Sequence, residues 1–83
     1  MNPFPSINES EVVLIRASVG TGHILDENFI PARSETQIVF SVFKSLKDCI
    51  AYIDSIYQSR NDVEFVIKNN LEKTIKYIRP ENV

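Results

Sequence analysis

This chain predicts an α+β fold: an antiparallel β-sheet with a single α-helix, about residues 46–58, packed on one face. Three observations carry that expectation. Ile38-Val39-Phe40-Ser41-Val42-Phe43 is β-branched and aromatic, as a strand prefers. Beyond Ser45 the apolar period changes, with Leu46, Cys49, Ile50, Ile53, Ile56 and Tyr57 recurring at three- and four-residue steps, as one helix face requires. Val12-Val13-Leu14-Ile15 is an uninterrupted apolar run, which suits a central strand covered on both faces. The expected order is β-β-(β)-α-β-β. Eighty-three residues make one domain, since a second core would not fit. An extended arm over 1–10, with Phe4 and Ile7 as pins, should precede a single domain over 11–83.

Glu11 to Val19 reads as the first strand, with Val13, Ile15, Ala17 and Val19 on one face and Val12, Leu14, Arg16 and Ser18 on the other. Arg16 and Ser18 mark where that second face should meet water. Gly20-Thr21-Gly22 suits a reversal with positive φ, leading to a short strand through His23-Ile24-Leu25. Residues 26–34 read as a loop, with room for an edge strand within it, because Pro31 disfavours a central strand. Glu35 to Phe43 is the next strand. Ser45 then caps the helix, its hydroxyl accepting from the Asp48 N–H, and Ser59-Arg60-Asn61-Asp62 stops it.

Residues 62–79 admit two readings. Val63, Val66, Ile67, Asn70, Leu71, Ile75 and Ile78 fit a helix, but mid-helix asparagines and dense β-branching oppose it. A hairpin turning through Asn69–Lys73 is favoured, pairing Ile67 with Ile75 and Phe65 with Tyr77 and setting Lys68 and Lys76 on one face.

The composition is that of an ordinary globular chain, 43% hydrophobic and 24% charged with a net charge of −2. Its isoelectric point near 5.3 does not suit a dedicated nucleic-acid binder, although Arg60, Lys68, Lys73, Lys76 and Arg79 tilt the bases toward the C-terminal end. One cysteine permits no internal disulfide and no thiolate-rich zinc site. No apolar run approaches the roughly 20 residues that span a bilayer, and Met1–Pro5 lacks a secretory pattern, so no membrane partner and a cytoplasmic location are expected.

Little in the chain suggests catalysis. Gly20-Thr21-Gly22-His23 lacks the second glycine block and the Lys-Ser/Thr of a phosphate loop. His23 stands beside Asp26 and Glu27 but lacks the rigid third and fourth ligands of a metal site. Ser18, His23 and Asp26 can be drawn as a triad, without a nucleophile turn or an oxyanion hole. Cys49 falls on the apolar helix stripe, where it serves as a small hydrophobe. No catalytic, cofactor-binding or metal-ligating residue is therefore expected, and no cofactor.

Two partner-binding regions stand out. The first is the segment Gly20–Glu35, long for so small a domain, with Asp26, Glu27, Phe29, Ile30 and Arg33 offering an anchor and flanking charge. The competing reading makes Phe29 and Ile30 core cover. The second is the basic hairpin with Lys68 and Lys76. The expected function is a small non-catalytic protein-binding module of the inhibitor, immunity-protein or accessory-subunit kind. It would act through a sheet face, an edge strand or the 20–35 loop. The alternative is a nucleic-acid accessory protein using the hairpin, and a hydrolase using His23 ranks last. A homodimer that covers a sheet edge is compatible with each.

Overall fold

A computed structural model describes residues 3–80; Met1 and Asn2 of the arm, and 81–83 at the far end, lie outside the described residues. Five strands and one helix follow in the order β1 (Val12–Ser18), β2 (Ile24–Leu25), β3 (Phe40–Phe43), α1 (Leu46–Tyr57), β4 (Val63–Lys68) and β5 (Thr74–Ile78). All strand pairings are antiparallel, and the expected α+β architecture is the observed one.

β1 is the hub because its apolar run can be covered on both faces. β4 takes one edge of it, from Val13 to Ser18. The other edge is shared end to end: β3 pairs Val12 to Ile15 and β2 pairs Arg16 and Ala17. β5 lies outside β4, so the sheet runs β2/β3–β1–β4–β5. On the helix side Val12, Leu14, Leu25, Val63, Phe65 and Ile67 meet Cys49 and Ile53 in one buried cluster. Phe43, Ile50, Ile56, Tyr57 and Ile78 close its margin. The far face is covered in part by the arm, where Phe4 stands edge-on to Phe40 with ring centroids 5.5 Å apart.

Ser45 caps α1 as its sequence position requires, with extended backbone and Oγ accepting from the Asp48 N–H at 3.1 Å. Cys49 is fully buried, and burial pushes its thiol up to about 11 against a weaker opposing pull from the Arg16 charge. Native protein at neutral pH should therefore leave a disulfide thiol reagent unreacted and consume one equivalent only on unfolding. Fast stoichiometric reaction of the folded chain would contradict this placement.

Three local expectations are corrected. The strand expected over Glu35–Phe43 begins only at Phe40, because Ser34 to Gln37 form a side-chain-bonded turn instead. Residues 62–79 form the hairpin, but its register is one residue off the expected one. Phe65 pairs with Ile78, Val66 with Tyr77 and Ile67 with Lys76, and the register shifts between Ile67 and Lys68, so that Lys68 pairs with Thr74. The cause is the turn. The Asn69 side chain accepts from the N–H groups of Leu71 and Lys73, and Glu72 takes φ 59°, leaving one extra residue for β5 to absorb as a bulge at Ile75. A one-residue slip exchanges the faces of a strand. Ile78 thus joins the core margin, Tyr77 turns to the far face, and Lys68 and Lys76 lie on opposite faces rather than one. The third correction concerns Arg16, which does not meet water: it is 3% exposed.

Candidate functional site

The loop between β2 and β3 is built from within. Asp26, buried, accepts at Oδ1 from the N–H groups of Asn28 (2.8 Å) and Ile30 (3.0 Å), an Asx turn extended by two residues. Its Oδ2 accepts from Gln37 Nε2 at 2.8 Å. Gln37 also donates to the Pro31 carbonyl at 3.0 Å, while its Oε1 accepts from Arg33 N–H (2.6 Å) and Ser34 N–H (2.8 Å). All four hydrogen-bonding positions of the Gln37 amide are in use, which fixes its orientation. Backbone bonds from Glu27 N–H to the Ile38 carbonyl and from Ala32 N–H to the Ile24 carbonyl close the neck.

These bonds hold the Asp26 carboxyl below the ordinary aspartate value, the Gln37 side chain first, then the Ile30 N–H, with the Arg16 charge a minor cause. The stabilisation is complete above the ordinary value of 3.8 and is lost as pH falls through the lower value of the folded chain. Asp26→Asn should loosen the loop at neutral pH. An asparagine can keep one acceptor, but its NH2 would face the Gln37 NH2, donor against donor. Hydrogen exchange at the Ile30 amide should quicken while β4 amides stay protected. Unchanged Ile30 exchange would count against the role given to Asp26.

Phe29 is the loop's strained point. Its φ is 63°, a left-handed conformation that a bulky residue rarely takes and that costs about 1–2 kcal/mol. The ring is held half-buried among cations: the guanidinium carbon of Arg60 lies 4.4 Å from its centroid and that of Arg16 lies 5.5 Å away. Arg16 lies equally over Tyr52, at 5.4 Å, and Tyr52 leans on Phe43 with centroids 5.3 Å apart. Arg60, Phe29, Arg16, Tyr52 and Phe43 thus form a chain of alternating cationic and aromatic contacts from the helix stop, across the loop, to α1 and β3.

Within that chain Arg60 is paired, its Nε and Nη2 meeting Asp62 at 2.8 and 3.0 Å. Arg16 is not. Its Nη2 donates to the Tyr52 hydroxyl at 3.0 Å, but buried Nε and Nη1 have no hydrogen-bond partner among the described residues. It makes no ion pair among the described residues. Asp26 is near enough to feel its charge, yet both Asp26 oxygens are engaged inside the loop.

The residues singled out by sequence fall into distinct environments. Glu27, Ile30 and Arg33 are exposed on the loop, Phe29 lies beneath it, and Asp26 is turned inward and acts through the loop's shape. Lys68 lies across the sheet from Lys76, beside a hollow of about 330 Å³ floored by Phe4, Ile15, Ile24 and Phe40. His23 is exposed, and no group of three metal-ligating side chains converges among the described residues. No helix there is long and apolar enough to cross a membrane. Sequence reasoning missed Gln37 and Arg16. For Arg16 a signal existed: it shares a strand face with Val12 and Leu14 on the central strand, where the helix must lie. Comparison with known proteins yields no match, with no family model, curated protein or solved structure significantly similar to this chain.

Proposed function

We propose that this chain is a small non-catalytic protein-binding module that reads its partner with the 26–38 loop. One observation carries the reading: the loop turns its polar anchors Asp26 and Gln37 inward and leaves its aliphatic side chains outside. Ile30 is 54% exposed and Ile38 49%, and the charged Glu27 and Arg33 of the same loop are also exposed. A rigid loop that presents an apolar anchor within a polar rim loses little conformational entropy on binding. The inhibitor or accessory-subunit role fits such a surface. The nucleic-acid alternative has less support, because the hairpin lysines do not share a face and Arg79 is drawn to Glu64 at 3.3 Å.

The test uses two charge insertions. Ile30→Glu should weaken partner retention at least about thirtyfold, the effect of a hot-spot residue worth about 2 kcal/mol. Leu71→Glu, at the still more exposed hairpin tip, should leave retention and melting temperature unchanged. A partner protein held one-to-one by the unaltered chain and by Leu71→Glu, but lost by Ile30→Glu, supports the loop. Equal loss in both variants, or no stoichiometric partner at all, counts against it. Sizing by light scattering alongside reveals whether that partner is a second copy.

A further inference from the structure

Arg16 is a buried cation with donors to spare. Among the described residues Nε and Nη1, shielded from solvent, have no protein acceptor, and the one hydrogen bond of the guanidinium goes to a neutral hydroxyl. Asp26, close enough to feel the Arg16 charge, has both oxygens committed to the loop. Buried guanidinium groups ordinarily meet a carboxylate or phosphate, because the charge-assisted bonds offset desolvation. Over Arg16 lies instead the ring of Phe29, whose backbone is held in a strained conformation and whose neighbours on the loop, Asn28 and Ile30, are hung from a single Asp26 oxygen.

We propose that Arg16 is the floor of a carboxylate site for which Phe29 is the cover, and that its occupant is an acidic side chain of the protein partner. Swinging the Phe29 ring aside by side-chain rotation, with the Asp26-anchored backbone of the loop kept, uncovers the orphan donors. Arg60, over the same Phe29 ring, keeps the approach to them cationic, although Asp62 shares its charge. A carboxylate fits better than a larger anion because Arg16 is 3% exposed and the space gained by moving its cover is that of one ring. The inference rests on the loop as the partner surface, but its test does not need the partner.

Sodium formate is titrated into 15N-labelled protein at constant ionic strength, following the Arg16 Nε–H resonance. Unaltered protein should show a saturable shift. Phe29→Asn, which removes the ring and tolerates the positive φ, should saturate at a formate concentration several-fold lower. Arg16→Met should show no saturable change at the Phe29 and Tyr52 signals. A flat Arg16 Nε–H titration of the unaltered protein overturns the proposal without reference to any variant. So does saturation of Arg16→Met at the concentration that saturates the unaltered chain. A flat formate titration together with partner loss in Ile30→Glu would reject the carboxylate site and leave the loop reading standing.

Discussion

Phe65→Ala should cost about 3–5 kcal/mol and bring the protein to the edge of unfolding at room temperature. Phe65 is fully buried on β4, between Arg16 of β1 and Ile78 of β5, with the Tyr57 ring edge-on at 5.5 Å. Truncation removes the transfer free energy of the ring and leaves a cavity that flanking strands cannot close. An 83-residue domain has only about 4–12 kcal/mol in total, so the loss is at least about a quarter of it. The measurement is a urea unfolding curve: the midpoint should fall sharply with little change in slope. Lys76→Ala, exposed on β5, should shift stability by no more than about 0.5 kcal/mol. The hairpin register gives a second contrast, since Ile78→Ala should cost more than Ile75→Ala although the residue types are the same. A larger effect at Ile75 would mean that the bulge is misplaced.

That contrast marks where the fold was legible and where it was not. The strand-to-helix change at Ser45 was readable because period, cap and burial agree there: Ser45 caps, and Cys49 and Ile53 point inward. β1 was readable because a continuous apolar run has few other places to go. The register of β4 and β5 was not, because Ile75 and Tyr77 are as apolar as Ile78 and either alternation satisfies the pattern. What decides it is the Asn69 turn and its one-residue excess, a backbone fact that hydrophobicity does not encode. The loop was legible as irregular but not as ordered. Its order rests on Asp26 reaching Gln37 eleven residues away, and no local pattern reports a side-chain bond of that span.

Arg16 was hidden for a different reason, since a charged side chain reads as the wet end of a strand even on a covered face, and the sign of its contribution can be argued from magnitudes. Arg16→Met should be neutral to about 2 kcal/mol stabilising, whereas Arg16→Ala should destabilise by about 2–4 kcal/mol. Methionine keeps the length of the apolar stem between Phe29 and Tyr52 and removes the charge. The losses are two cation–π contacts at roughly 1 kcal/mol each and one hydrogen bond to Tyr52 at about 1 kcal/mol. The gain is the desolvation penalty of a guanidinium with two orphan donors, several kcal/mol even after relaxation. Alanine removes the same charge but also the stem, and the void it opens beneath the loop outweighs the relief. Comparing the two variants by thermal and urea unfolding therefore separates charge from volume. If methionine proves as damaging as alanine, the cationic–aromatic chain is itself what holds α1, β1 and the loop together. If methionine is the more stable protein, Arg16 strains the fold, and its guanidinium is left for a bond that the isolated chain does not make.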